Sequence, residues 1–207
     1  MQNWNTIATE ETIAKTIGAL KKNGINAIVV DTGAEAKEKA LSLLPNGAEV
    51  FTLTSETTRE IGLMDAIDTS GKYRSVRTML MSMDRQKDGL AMQKLGTAPE
   101  YAVASVNAVT EEGHIFIASN TGSQLPADSY GAAHVIWVVG AQKIVKDDET
   151  ARKRIDEYVL PKESTRIRTA YNLPDTYESF VSKLLIINRE IVKDRITLIF
   201  IKEPLGF

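Results

Sequence analysis

The chain has 207 residues, of which 43% are hydrophobic and 25% are charged, and its formal net charge is -2. This balance is typical of a soluble globular protein and excludes an intrinsically disordered chain. A net charge so close to zero provides no electrostatic basis for binding nucleic acid. The length suits one good-sized domain, and we therefore predict a single domain over residues 1–207.

Cysteine is absent from the sequence, and histidine occurs only at His114 and His134. The lack of cysteine excludes disulfides, thiolate catalysis and an all-cysteine iron–sulfur cluster held by this chain. The two histidines lie in different predicted strands, without the spacing of a metal-binding motif. We therefore predict no metal site, and the sequence leaves the cofactor open.

Targeting signals are not evident in the sequence. Residues Met1 to Asn5 lack the basic and apolar regions of a signal peptide, and no apolar run approaches the roughly 18 residues that a membrane span needs. We therefore expect a cytoplasmic protein that has no membrane partner.

Helices and short strands alternate in the first quarter of the chain. Apolar positions between Ile7 and Leu20 recur at helical spacing, Thr9 is a suitable N-cap, and Gly24 ends the segment. Strand–helix units with short connections predict a parallel sheet with right-handed crossovers. The predicted elements are a helix over 10–23, a strand over 26–30, a helix over 34–44, a strand over 48–53 and a helix that begins after Ser55.

The rest of the chain continues this pattern and ends in two apolar segments. Segment 63–96 reads as helical, and Arg152-Lys153-Arg154, set among acidic residues, reads as a solvated helix face. We predict strands over 101–105, 114–117 and 135–140, a helix over 147–158 that stops before Pro161, and a hairpin of 184–187 and 196–201. The expected fold is α/β, with a mostly parallel sheet flanked by helices and a C-terminal β-hairpin at its edge.

A polar loop with one glycine follows the strand predicted at 114–117. It reads Ser119-Asn120-Thr121-Gly122-Ser123-Gln124 and is followed by Pro126, which suits the first turn of a helix. Backbone N–H groups in such a loop, together with the positive end of a helix, favour a phosphate or a carboxylate. We therefore predict a ligand site here, with an ordinary strand-to-helix connection as the alternative.

Two further polar connections follow predicted strands, at Asp31 to Gly33 and at Thr52 to Thr57. Because the carboxyl ends of parallel strands share one edge of a sheet, we expect these connections to meet the 119–124 loop. Thr54, Ser55 and Thr57 therefore join the candidate ligand-binding residues. Each connection, taken alone, is equally consistent with helix capping or a turn.

Three residues are weak candidates for catalysis. Glu111 and Glu112 could act as a nucleophile or a general base, but Thr-Glu-Glu-Gly is also a plain hairpin turn. Lys143 follows the strand at 135–140 and could hold an anion at the sheet edge, or could be solvated. Asn107 could orient a ligand through its amide, or could satisfy the backbone of a bend.

Several stretches together resemble the LUD domain family, the lactate-utilization protein C group. The main ones are Ser105 to Gly113 and Tyr130 to Val145 with Gly122 between them, and the likeness covers most of the chain. Further matching patches are Leu20 to Gly24, Ser55 to Gly62 and Glu203 to Phe207. The motifs are distinctive in combination, although none is a catalytic signature.

The resemblance implies a fold similar to the group of ribose-5-phosphate isomerase, glucosamine-phosphate deaminase and CoA-transferase, whose ligands lie above the sheet. It also implies a link to L-lactate oxidation, where larger relatives work beside iron–sulfur partners. The chain has Thr52-Leu53-Thr54 where close relatives often have a glycine-rich approach, and Ser119 where they often have an aspartate. The family pattern places these residues around the site: Ser55, Thr57, Asn107, Thr110, Gly122, Ser123 and Lys143.

Two hypotheses of function follow. In the first, a cytoplasmic protein of organic-acid metabolism binds a small anionic ligand that bears a phosphate, carboxylate or CoA group, with or without turnover. In the second, the chain is a non-catalytic accessory subunit of a lactate-oxidising iron–sulfur oxidoreductase complex. The oligomeric state stays open in both.

Overall fold

The computed structural model describes residues 3–207, so the first two residues of the segment inspected for a signal peptide lie outside it. The helices of this part of the chain begin and end close to where the apolar periodicity places them. Thr9 caps α1 by accepting a hydrogen bond from the backbone N–H of Thr12. The helices are α1 Glu10–Lys22, α2 Gly33–Ser42, α3 Glu56–Glu60, α4 Leu63–Asp68, α5 Val76–Met81, α6 Arg85–Thr97, α7 Asp148–Arg154 and α8 Leu160–Tyr171.

The strands form two sheets. A six-stranded sheet, with every neighbouring pair parallel, has the order β1-β10-β7-β4-β2-β3, and a four-stranded sheet has the order β8-β5-β6-β9. The strands are β1 Asn26–Val30, β2 Glu49–Thr52, β3 Arg74–Ser75, β4 Tyr101–Ala104, β5 Ala108–Thr110, β6 Ile115–Ser119, β7 His134–Gly140, β8 Ile144–Val145, β9 Lys183–Ile187 and β10 Ile196–Ile201. The predicted parallel α/β sheet is confirmed.

Side chains on the two faces of the six-stranded sheet pack against different layers. Val138 and Ile199 on one face contact the helices α2 and α4 in one apolar cluster. Trp137 and Phe200 on the other face pack with residues of β5 and β6, together with α1. The second sheet therefore covers one face of the parallel sheet, and α7 packs on its far side.

The predicted C-terminal hairpin is wrong. β9 pairs antiparallel with β6 in the second sheet, whereas β10 lies between β1 and β7 in the parallel sheet. Five of the six residues of β10 are buried, as expected for a strand that is covered on both faces. Its continuous apolar run is the pattern of an interior parallel strand, and an edge hairpin would have left one face polar.

Two helical segments contain π-turns that the periodicity does not predict. The helix expected to stop before Pro161 continues, because the π-turn Ile155–Val159 joins α7 to α8 and places Pro161 in the first turn of α8. The proline lacks an N–H for the preceding turn, and the helix changes to the π pattern at this place, where the N–H of Leu160 bonds to the carbonyl of Ile155. The helix expected after Pro126 is a single π-turn, Ala127–Gly131.

Candidate functional site

A cavity of about 460 Å³ opens where the chain leaves β2, β4 and β6, next to the junction of the two sheets. Its opposite wall is formed by α8 and by residues of the segment 173–181. Nine of the predicted site residues line it: Thr54, Ser55, Asn107, Ser119, Asn120, Thr121, Ser123, Gln124 and Lys143. Two of the three polar connections therefore meet, although they follow β2 in the parallel sheet and β6 in the second sheet, so the packing of the two sheets brings them together.

The third connection, Asp31 to Gly33, does not line the cavity. It follows β1, which forms the opposite edge of the parallel sheet from β2 and β3. Asp31 pairs with Lys202 at 3.0 Å, and the N–H of Gly33 donates to Glu203 at 2.8 Å. The predicted meeting of all three connections is therefore wrong, because strand order places β1 far from β2.

Three other predicted residues lie beside the cavity or away from it. Thr57 is buried beneath the cavity, and the Thr110 hydroxyl accepts a hydrogen bond from the N–H of His114 within the β5–β6 hairpin. Gly122 has a φ of 85°, and a Cβ there would stand 2.4 Å from the Cδ of Lys183. A side chain at this position would strike Lys183, so Gly122 serves the turn and the packing of β9.

Two backbone N–H groups of the 119–124 loop are hydrogen-bonded to side chains of the loop itself. The N–H of Gly122 donates to the Ser119 hydroxyl at 2.9 Å, and that of Ser123 donates to the Thr121 hydroxyl at 3.3 Å. The expectation that the N–H groups of this loop point outward for an anion is therefore wrong for Gly122 and Ser123. The loop also offers hydroxyl and amide side chains to the cavity.

Glu111 and Glu112 form the turn of the β5–β6 hairpin and do not line the cavity. The Glu111 carboxylate pairs with Lys15 on α1 at 2.6 Å, and the carbonyl of Glu112 accepts from Asn23 at 2.9 Å. These contacts dock the hairpin on α1. The structure favours the turn interpretation for both residues.

Lys143 lies at the floor of the cavity, in the 3-10 turn Ala141–Lys143 by which the chain passes from β7 in the parallel sheet to β8 in the second sheet. Only 2% of the residue is exposed. Its Nζ contacts the Thr57 hydroxyl at 2.9 Å, the Ser105 hydroxyl at 3.1 Å and the Val106 carbonyl at 3.2 Å. The alternative of a solvated lysine is excluded.

The electrostatic surroundings of Lys143 disfavour its proton. Burial lowers the pKa of Lys143 well below its usual range, the positive charge of Arg154 lowers it further, and Glu60 opposes both effects. Within residues 3–207, Lys143 forms no ion pair with any carboxylate. A lysine in such a place can act as a neutral amine at ordinary pH.

Arg154 lies behind the floor and is completely buried, whereas Arg152 and Lys153 are exposed. The prediction of a solvated Arg152-Lys153-Arg154 face is therefore wrong for Arg154 alone. Its Nη1 donates to the Asn107 carbonyl at 2.5 Å, and the guanidinium lies 5.2 Å from the centre of the Tyr158 ring. Its Nε and Nη2 have no hydrogen-bond acceptor in the described chain. Burial lowers the pKa of Arg154 to about 10, so it keeps its charge at neutral pH.

Asn107 connects Arg154 to the cavity, because its backbone carbonyl accepts from the arginine while its side chain lines the cavity. Its Oδ1 accepts from the backbone N–H of Ala118 at 2.7 Å, which fixes the orientation of the amide. The Nδ2 end is then the donor end. Both readings of Asn107 thus apply, since it satisfies a bend and presents an amide to the cavity.

The opposite wall carries charges that compensate one another. Arg166 on α8 makes a two-point contact with Glu163, at 2.7 and 2.6 Å, and its Nε lies 4.0 Å from Glu56. The hydrogen bonds to Glu163 raise the pKa of Arg166. The spacing of Glu163 and Arg166 could have indicated a helical ion pair, but nothing in the sequence indicated that α8 covers this cavity.

Two further kinds of feature, metal sites and membrane-spanning helices, concern the described chain as a whole. Residues 3–207 bring together no group of three histidine, aspartate or glutamate side chains suited to a metal ion. None of the helices in this range combines the length and the apolar character needed to cross a bilayer.

Comparison with known proteins gives a family and similar solved structures. The sequence profile described as the LUD domain matches residues 13–200. The fold is similar to the crystal structure of a DUF162 family protein from Deinococcus radiodurans, with a TM-score of 0.58 and 12% sequence identity over 95% of this chain and 99% of that chain. At this identity the likeness shows the fold alone. No curated protein matches the sequence.

Proposed function

Because this chain belongs to the LUD domain family, we propose that it is a cytoplasmic lactate-utilization-like protein that binds a small anionic metabolite of organic-acid metabolism in the cavity above Lys143. The metabolite carries a carboxylate, phosphate or CoA group. The cavity volume of about 460 Å³ suits a small metabolite.

A single observation carries this proposal: the charge beneath the cavity is positive and uncompensated. Arg154 and Lys143 are both buried, and neither forms an ion pair within residues 3–207. Arg154 alone contributes a full positive charge, because burial lowers its pKa only to about 10. A buried charge without a partner costs several kcal/mol, and an anion in the adjacent cavity would recover part of that cost.

The polar groups that line the cavity near Arg154 and Lys143 suit such a ligand. Asn107 offers its Nδ2, and Ser105, Ser119 and Ser123 offer hydroxyl groups. Arg166 on the far wall is already compensated by Glu163. We therefore expect the negative group of the ligand to lie on the Asn107 side.

Thermal unfolding with a panel of anions tests the proposal. The panel contains lactate, pyruvate, sugar phosphates, nucleotides and acyl-CoAs, with lactamide as the uncharged match for lactate. A ligand present at about 100 times its Kd would stabilise the protein by about 2.7 kcal/mol, which raises the Tm of a chain of this size by roughly 5–10 °C. Lactamide should give no rise.

Two variants make the experiment specific to the cavity. Lys143→Met keeps the length of the side chain and removes its amine, so the rise in Tm should fall or disappear. Lys146→Met removes a lysine that is exposed and outside the cavity, and the rise should persist. A flat response of the wild-type protein to the whole panel would refute the proposal. It would favour an accessory subunit instead, to be tested by co-purification of an iron–sulfur partner.

A further inference from the structure

We propose that Lys143 forms an imine with a small 2-oxo acid bound in the cavity, so that the ligand is held covalently during its stay. This inference rests on the proposed function, since the acid must first enter as an anion. Three features of the structure support it: the hydrogen bonds of the amine, the placement of the neighbouring groups and the buried charge of Arg154.

The hydrogen bonds around Nζ suit a neutral amine. The Thr57 hydroxyl lies 3.2 Å from the Leu205 carbonyl and donates its hydrogen there, so it accepts from Nζ. The Val106 carbonyl can only accept. Two N–H bonds of the amine are thereby used, and two is the number that a neutral amine has.

Ser105 accounts for the remaining position on nitrogen. Its hydroxyl lies 3.1 Å from Nζ, where it accepts a hydrogen bond from the protonated amine. The hydroxyl makes no other hydrogen bond within residues 3–207, so it can turn its hydrogen toward the lone pair once the amine is neutral. Ser105 lines the cavity, whereas Thr57 does not. Nζ therefore lies one hydrogen bond away from a residue that borders the ligand space.

The positive charge of Arg154 has two effects, one on the Lys143 amine and one on the carboxylate of the acid. Its buried charge disfavours a second positive charge on Lys143, and burial lowers the pKa of Lys143 in the same direction. An ordinary lysine is neutral in only roughly one molecule in a few thousand at pH 7, so such surroundings greatly increase the reactive form. The same charge attracts a carboxylate that stands next to a ketone.

The reaction balances without any further reagent. The lone pair of Nζ attacks the carbonyl carbon, a C–N bond forms as the π bond of the carbonyl breaks, and the oxygen takes a proton while nitrogen loses one. In the resulting carbinolamine the C–O bond breaks, the hydroxyl leaves as water with the second proton from nitrogen, and the C=N bond of the imine forms. Ser105 can pass the proton between nitrogen and oxygen, and the Nδ2 of Asn107 can donate a hydrogen bond to the oxygen.

Reductive trapping tests the inference on the intact protein. Pyruvate and sodium cyanoborohydride convert an imine into a stable amine, and the protein then gains the mass of pyruvic acid less one oxygen atom. Peptide mapping should place this gain on Lys143 in the wild-type protein and in Lys146→Met, and Lys143→Met should lack it. Lactate has the same carboxylate but no ketone, so it should give no adduct.

A thermal-shift measurement with pyruvate, made without the reductant, separates this inference from the proposed function. A rise in Tm without an adduct on Lys143 would overturn the imine and leave anion binding intact. Adducts spread over exposed lysines would also overturn it. The absence of both a rise and an adduct with pyruvate would overturn the imine, and the response to the other anions of the panel would then decide the proposed function. Because peptide mapping of the wild-type protein identifies the lysine directly, the test holds even if Lys143→Met fails to fold.

Discussion

Two buried arginines of this protein differ in what surrounds them. Arg195, just before β10, donates to the carbonyls of Ala127, Asp128 and Ala132 and pairs with Glu190 at 2.6 Å. Arg154, behind the cavity, has a single hydrogen bond, and two of its nitrogens have no acceptor in the described chain. The first arginine stabilises the fold through its partners, whereas the charge of the second has no ion-pair partner among residues 3–207 and lies beside the cavity.

The largest expected effect is at Arg195. The change Arg195→Met leaves the buried Glu190 carboxylate and three carbonyls without their partner, and breaking a buried pair in this way costs about 3–5 kcal/mol. Urea unfolding measures the loss of free energy of unfolding. The matched change Arg189→Met removes an exposed arginine nearby and should stay within about 0.5 kcal/mol of the wild type. A loss below about 1 kcal/mol in Arg195→Met would remove the distinction between the two arginines.

A second effect concerns Asp128, whose carboxylate lies beside Arg195 and accepts from the Trp137 indole N–H at 2.9 Å. Burial raises the pKa of Asp128 from 3.8 to about 7, and the Trp137 hydrogen bond and Arg195 limit the rise. The folded protein thus holds a proton that the unfolded chain has already released. The free energy of unfolding should therefore fall as pH rises from about 4 to about 7, by at most about 4 kcal/mol, and level off above that.

Asp128→Asn keeps an acceptor for Trp137 and cannot ionise. Urea unfolding at several pH values should show that this fall in stability is much smaller in the variant than in the wild-type protein. An equal slope in both proteins would show that Asp128 is not the group responsible. The result would also show whether burial outweighs the positive charge of Arg195 and keeps Asp128 protonated below pH 7.

The contrast between the arginines also shows what the sequence could reveal. The continuous apolar run 135–140 correctly predicted a buried strand, whereas the position of Lys143 after it left open whether the lysine lies at the site or in solvent. The environment of Arg154 could not be predicted from its charged neighbours in sequence. Those neighbours lie on the exposed side of the helix, whereas Arg154 lies on the buried side. Likewise, the strand order that separates β9 from β10 depends on long-range packing, which local apolar patterns do not record.

The smallest effect on stability, and the most informative one for function, is expected at Arg154. The change Arg154→Met removes a buried charge that has few partners and puts an apolar chain of similar length in its place. Such replacements are often neutral or stabilising, so the free energy of unfolding should not fall by more than about 1 kcal/mol. The rise in Tm caused by an anionic ligand should nevertheless fall, because the charge beneath the cavity is gone.

The matched change at the preceding residue, Lys153→Met, removes an exposed lysine. Within residues 3–207 its one ion pair is with Glu157, at an Nζ–Oε1 distance of 3.8 Å. The change should alter neither stability nor the response to the ligand. A loss of several kcal/mol in Arg154→Met would place this arginine in the same class as Arg195, as a residue that the fold requires. Stability close to that of the wild type, together with a lost ligand response, would show that the charge of Arg154 serves to bind the ligand.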